Sequence, residues 1–180
     1  GDEADLVVLL IRALGAAAFL MLTATLMIGP LARVSARFLP FLYNRRHLGV
    51  MTFLVAAAHF GLSVFWYHAG GPLNPFVSLL VSNPLYQSTQ GFPFEAFGLA
   101  AFAVLFVMAA TSHDFWLKNL SAGAWKLIYM LVYAAYGLLV LHIAYGALMT
   151  EKSALYPILV IVALFLVGGL HLYAGVREWA

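Results

Sequence analysis

One apolar stretch constrains this chain more than any other feature, because residues His47 to Tyr67 contain no Lys, Arg, Asp or Glu. At about 1.5 Å per residue, a helix of this length crosses the roughly 30 Å hydrocarbon core of a bilayer. The composition agrees: 64% of the 180 residues are hydrophobic and only 9% are charged, whereas about a quarter of a soluble domain is charged. The sequence therefore predicts an integral membrane protein, with the lipid bilayer rather than a nucleic acid as its partner.

Further apolar segments, separated by polar or Gly/Pro-containing breaks, predict an all-α bundle of five transmembrane helices. The predicted spans are residues 6–28, 47–67, 95–110, 123–149 and 154–175. The Gly29-Pro30 pair is expected to end the first span. The long loop of residues 68–94 is expected either to fold over the helix ends or simply to connect them. We see no internal repeat, so residues 1–180 are predicted to form a single transmembrane domain.

Lys and Arg residues are distributed unevenly near the predicted helix ends, which indicates how the bundle is oriented. Arg12 and Lys152 fall on one predicted side. Seven residues fall on the other: Arg33, Arg37, Arg45, Arg46, Lys118, Lys126 and Arg177. Because cytoplasmic loops are enriched in these residues, we expect the N-terminus outside and the C-terminus inside. The start at Gly1 rather than Met predicts a processed or trimmed product, and the first apolar run is too long for a cleaved signal peptide.

Two histidines lie deep inside predicted spans that run in the same direction. His59 lies about 12 residues into the second span and His142 about 16 residues beyond Lys126 in the fourth, or about 18 and 24 Å along each helix. An imidazole in hydrocarbon is costly unless it is hydrogen-bonded or binds a metal. Because His is the common axial ligand of haem iron, we predict one haem b between the second and fourth spans. The alternative is that each His only bonds a neighbouring hydroxyl or carbonyl.

The other histidines are weaker candidates for haem contact. His171 lies inside the fifth span near its inner end and ranks next as an iron ligand. His68 begins the outer loop, where it is placed to meet a haem propionate. His47 stands beside Arg46 at the inner boundary, so a solvated or lipid-facing position is expected there. His113 falls in an inner turn and is expected at the membrane interface.

Side-chain catalysis has no candidate residues in this sequence. The chain has no cysteine, which excludes Cys-ligated iron–sulfur clusters, thiol catalysis and disulfides, and no nucleotide-binding, metalloprotease or nucleophile motif occurs. We therefore expect an electron-transfer subunit or domain of an oxidoreductase rather than a complete enzyme. A haem-free membrane scaffold or assembly subunit is the alternative. A small-molecule transporter is a weaker one, because the expected broken helices and inverted repeats are missing.

Several short motifs together resemble the ferric reductase-like transmembrane family over roughly residues 10 to 150. They are Leu26-Met27-Ile28-Gly29-Pro30-Leu31-Ala32-Arg33, Arg45-Arg46-His47-Leu48-Gly49, Ala58-His59, Thr111-Ser112, Trp125, Leu131-Val132-Tyr133 and Leu141-His142. The paired arginines followed by a downstream histidine are the most specific of these matches.

The resemblance implies a bacterial inner-membrane protein that moves single electrons through b haem, with His59 and His142 at haem-ligand positions. Family members often carry another histidine where this chain has Tyr129, so we predict one haem rather than two. The resemblance also implies quinol or a reductase partner protein as the electron donor, with quinone or flavin as further cofactors. The acceptor would lie at the outer face or in a fused Rieske or flavin-binding reductase domain beyond Ala180.

Overall fold

The computed structural model describes residues 2–85, 91–150 and 153–179, and within these ranges it contains helices and no strand. The helices are α1 (Asp2–Val34), α2 (Leu39–His68), α3 (Pro75–Val81), α4 (Phe94–Ala110), α5 (Asp114–Asn119), α6 (Ala122–Tyr145), α7 (Ala147–Thr150) and α8 (Leu155–Trp179), with a 3-10 turn at Ala36–Phe38. The predicted all-helical class is confirmed.

Among the described residues, four segments are long and apolar enough to cross a membrane. They are Leu6–Val34, Ala36–His68, Ala122–Thr150 and Leu155–Trp179. Large apolar side chains are exposed on them, such as Phe65 (71%) and Phe165 (77%), which suits a surface that faces lipid rather than water. Helix α4 has 17 residues, at the short end of the range for a spanning helix. A fifth crossing therefore stays a prediction.

The first two helices are longer than the sequence predicted. Helix α1 continues through Gly29-Pro30 to Val34, so the expectation that this pair ends the helix is wrong. A proline removes one helical hydrogen bond, and Pro30 is fully buried, where packing against neighbouring elements keeps the helix intact. Helix α2 begins at Leu39 with Pro40 in its first turn, where the missing N–H has no helical partner to lose.

The long helices pack as two hairpins that share a core. Helix α1 packs along α2 and α8, helix α4 packs along α6, and α2 contacts α4. Helices α1, α4, α6 and α8 contribute the core residues. These are Phe19, Leu22, Leu26, Leu105, Val132, Ala135, Tyr136, Val160, Ala163 and Val167. The core therefore joins the α1–α2 hairpin to the α4–α6 hairpin and to α8.

A hydrogen bond and a ring stack tie α1 to α6 within this core. Thr23 Oγ1 donates to the carbonyl of Phe19 at 2.8 Å. It also lies 3.1 Å from the Tyr136 hydroxyl, which must therefore donate to Thr23. The rings of Phe19 and Tyr136 stack at 5.5 Å. This contact fixes the position of α1 relative to α6, and so joins the two hairpins.

The described part of the long loop lies over the ends of α2 and α4. Helix α3 contacts both of them, and His68 Nδ1 lies 3.0 Å from Ser78 Oγ. The Asn83 amide donates to the carboxylate of Glu95 on α4. Residues 86–90 of the loop, and Lys152 in the turn before α8, lie outside the described residues.

Candidate functional site

His59 on α2 and His142 on α6 lie next to each other. Their ring centroids are 6.4 Å apart and their ring planes cross at 81°. Both side chains are partly buried. The structure thus brings together the two histidines that the sequence singled out, although they belong to different hairpins.

Each imidazole is held by a main-chain carbonyl of the other helix in its own hairpin. His59 Nδ1 lies 2.8 Å from Ile11 O, and His142 Nδ1 lies 2.9 Å from Phe94 O. A carbonyl oxygen only accepts, so each Nδ1 must carry a proton. In the neutral ring, Nε2 then holds the lone pair that binds a metal. Within the described residues neither Nε2 has a hydrogen-bond partner, so both are free to bind a ligand.

The donors and their spacing fit a metal that is bound from two opposite sides. Imidazole nitrogens bind metals at about 2 Å, so two such bonds and the half-rings behind them span about 6 Å. The observed centroid separation is 6.4 Å. The described part of the chain contains no group of three or more His, Cys, Asp or Glu residues that could hold a metal ion. Two imidazoles therefore suit a metal that brings its own equatorial ligands, as haem iron does.

Glycines on the neighbouring helices lie directly against these rings. A Cβ atom at Gly15 of α1 would lie 3.0 Å from the His59 ring, and one at Gly98 of α4 would lie 2.7 Å from the His142 ring. The Phe94 ring also packs beside His142, with centroids 5.4 Å apart. Both imidazoles are therefore confined by helix backbone. Sequence reasoning missed these two glycines, because nothing in the sequence marks which glycines face a ring.

Two of the weaker candidates are engaged elsewhere. His171 Nδ1 donates to Val167 O at 2.8 Å, and its Nε2 lies 3.0 Å from the Tyr133 hydroxyl. Both of its nitrogens are thus occupied, which disfavours it as an iron ligand. His68 is 7% exposed and bonds Ser78 in the loop over the helix ends. In the described structure neither residue forms a ring contact or hydrogen bond with His59 or His142.

The remaining candidates lie near the predicted inner face. His47 is exposed. Tyr129 forms a hydrogen bond of 3.0 Å with Ser112 Oγ, and its ring stacks on Trp125 at 4.2 Å. Tyr129 thus has a packing role, and among the described residues the structure shows no second pair of facing histidines.

An ion pair fastens α2 to α5 at this face. Arg46 lies 2.5 Å from Asp114. The hydrogen bond and positive charge of Arg46 hold the pKa of Asp114 below its ordinary value of 3.8. Both side chains are exposed, so salt screens this interaction.

Comparison with known proteins assigns the chain to a family. The model of the "Ferric reductase like transmembrane component" family matches residues 14–140, a range that contains His59 and ends shortly before His142. The protein-methionine-sulfoxide reductase heme-binding subunit MsrQ of Bordetella parapertussis is 34% identical over 143 residues, which covers 79% of this chain and 63% of that protein. The MsrQ of Ralstonia nicotianae is 29% identical over 132 residues, which covers 73% and 55% of the two chains. No solved structure matches the chain.

The chain spans 63% of the length of the Bordetella relative and a smaller share of the other. Four helices in the described part of the chain are long and apolar enough to cross a membrane, and together with the bacterial relatives they identify an integral protein of the bacterial inner membrane. The family resemblance seen in the short motifs is confirmed, because the family model matches well over half of the chain. This chain belongs to the ferric reductase like transmembrane component family.

Proposed function

We propose that this chain is a b-type cytochrome unit that carries single electrons in the membrane, with His59 and His142 as the axial ligands of one haem. The observation that carries the proposal is the pair of neighbouring rings, with centroids 6.4 Å apart and each Nδ1 bonded to a carbonyl. Membership of the family supports it, and the relatives are named as heme-binding subunits.

Bound haem supplies reversible one-electron chemistry at its iron. The chain's own residues orient the ligands. The carbonyls of Ile11 and Phe94 accept from each Nδ1–H, which fixes the tautomer and leaves the Nε2 lone pair of each histidine as the atom that would hold the haem iron. The same hydrogen bonds make the imidazoles stronger donors. A stronger donor favours ferric over ferrous iron, so we expect these carbonyls to lower the reduction potential.

The position of the site suggests where electrons leave. Phe94 is the first residue of α4 and His142 lies in the last turn of α6. The site therefore lies in the half of the membrane nearer the face that the Lys/Arg distribution predicts to be outside. Electrons would enter from quinol or a reductase partner and pass to an acceptor at that face. The relatives are named as subunits of protein-methionine-sulfoxide reductase, so a separate reductase partner is the acceptor we favour over a fused domain.

An absorbance spectrum of the purified protein tests this function. We expect a b-type α band on reduction and one haem b per chain by the pyridine haemochrome assay. A colourless preparation would instead support the haem-free scaffold. Two haems per chain would show that a second site exists, and would point to His47 or His171 as overlooked ligands.

A further inference from the structure

The contacts of His59 and His142 repeat each other in sequence spacing and in geometry. Each histidine bonds a carbonyl that lies 48 residues earlier in the chain, at Ile11 and at Phe94 respectively. In both cases a glycine follows that carbonyl by four residues and lies against the ring. The second arrangement therefore reproduces the first at a constant offset of 83 residues.

The same offset aligns the helices that provide these carbonyls. Residues 13–22 and 96–105 share the pattern Ala-x-Gly-x-Ala-Ala-Phe-x-x-Leu. Buried positions also correspond. They are Ala18 with Ala101, Leu22 with Leu105, and Thr52 with Ala135. The α1–α2 and α4–α6 hairpins thus share a short local pattern that the sequence analysis did not identify, and each supplies one histidine. Only six of the ten positions are identical in the two segments, which is why the pattern escapes notice without the contacts.

Helix geometry explains why a glycine follows each carbonyl by four residues. In an α-helix the carbonyl of residue i accepts from the N–H of residue i+4, and side chains tilt towards the N-terminus. A side chain at i+4 therefore covers this carbonyl. Gly15 and Gly98 have no side chain to cover the carbonyls of Ile11 and Phe94. The second lone pair of each carbonyl oxygen therefore stays accessible to an imidazole. A Cβ would approach the His142 Nδ1 atom to 2.7 Å and the His59 ring to 3.0 Å.

We propose that Gly15 and Gly98 are positioning residues that fix the plane of each axial imidazole and keep its Nδ1 on the carbonyl. The inference rests on the proposed haem-binding function. Each glycine acts through the histidine on the other helix of its own hairpin. The two histidines that would hold the haem are thereby positioned in the same way, each by its own hairpin.

The test uses Gly15→Ala and Gly98→Ala with two matched control variants. The controls are Gly61→Ala on α2 and Gly137→Ala on α6, the two helices that carry the histidines. An added Cβ at either control position meets no described atom within 4 Å. All four changes raise helix propensity alike, so they differ only in what the new methyl group meets. The purified proteins are compared by haem content, haem release rate and low-temperature EPR of the ferric state.

We expect Gly98→Ala to shift the low-spin EPR g values and to weaken haem retention about 10- to 100-fold, the usual range for losing a hydrogen-bond partner behind a ligating histidine. Gly15→Ala should change in the same direction but less, because its closest approach is 3.0 Å rather than 2.7 Å. Both controls should match the wild type.

Native EPR spectra and native haem retention in both Gly15→Ala and Gly98→Ala would overturn the proposal, and so would equal changes in the controls. If Gly98→Ala does not fold, judged by size-exclusion chromatography, Gly15→Ala decides. If both fail to fold while the controls fold, the glycines serve packing alone and the proposal is wrong. Wild-type protein without haem would refute the proposed function instead.

Discussion

Each imidazole of the His59 and His142 pair has Nδ1 bound to a carbonyl, and its Nε2 has no hydrogen-bond partner among the described residues. The sequence predicted the histidines because a polar ring inside an apolar span needs a partner. It did not predict Ile11 and Phe94, because a main-chain acceptor has no residue signature. Nor did the sequence exclude His171 as a ligand. Only the structure shows that Tyr133 and the Val167 carbonyl bond its two ring nitrogens.

The near-perpendicular rings predict a distinctive spectrum for the ferric protein. Axial imidazoles with crossed planes leave two iron d orbitals almost equal in energy, which gives a highly anisotropic low-spin EPR signal, whereas parallel planes give an ordinary rhombic one. If the rings keep their angle of 81° in the haem-bound state, the anisotropic signal should appear in frozen membranes. An ordinary rhombic signal would show that the planes are parallel when haem is bound.

The helices pack through a core that the sequence defined only in part. The apolar runs located the helices, yet their ends were misjudged at Gly29-Pro30 and at Leu39. One proline costs a single hydrogen bond, and packing against other helices offsets that loss. Which helices pair could not be read from the sequence either, because lipid-facing and buried positions are equally apolar in a membrane protein.

The contact between Thr23 and Tyr136 should stabilise the joint between α1 and α6 by a small amount. A double-mutant cycle with Thr23→Ala and Tyr136→Phe should give a coupling of about 0.6 kcal/mol, and not more than about 1.7 kcal/mol. Denaturation of the detergent-solubilised protein measures it. Tyr173→Phe is the control, because that side chain is exposed on α8. Additive effects of the two substitutions would show that the hydrogen bond contributes nothing.

The Arg46 and Asp114 pair should stabilise the protein only above acid pH. The pKa of Asp114 is lower in the folded protein than its ordinary value of 3.8. The ionised carboxylate of Asp114 therefore stabilises the folded state above that pH. This stabilisation is lost as the pH falls through the lower pKa of the folded state. The Tm difference between the wild type and Asp114→Asn should be small at neutral pH and vanish in strong acid. The Tm difference should also become smaller in 1 M salt, because salt screens the two charges. A Tm difference that changes with neither pH nor salt would contradict the ion pair.

At the scale of the whole molecule, composition predicted the fold class. The pair of His59 and His142, by contrast, depends on how the two hairpins pack against each other. Low charge and long apolar runs suffice to predict a helical membrane protein. The meeting of His59 and His142 requires α2, α4 and α6 to pack together, which spacing along the chain does not dictate. The number of crossings and their orientation stay predictions from the Lys/Arg distribution.

Orientation can be tested by cysteine labelling, since the chain contains no cysteine of its own. Single variants Gly71→Cys, in the loop after α2, and Gly123→Cys, at the start of α6, replace glycines where a side chain meets no described atom within 4 Å. In spheroplasts an impermeant maleimide should label Gly71→Cys, and Gly123→Cys only after permeabilisation. The reverse pattern would invert the bundle and place the histidine site near the cytoplasm.

The central claim, that His59 and His142 hold one haem, is tested most directly by the optical spectrum of single His→Ala variants in membranes of equal protein content. His59→Ala and His142→Ala should each lose the low-spin bis-histidine spectrum, with haem absent or high-spin, because each change removes an axial ligand. His47→Ala and His68→Ala should keep it, since those side chains lie exposed or bonded to Ser78. A normal low-spin haem at normal occupancy in His142→Ala would contradict the claim, and His171 would be the next residue to change.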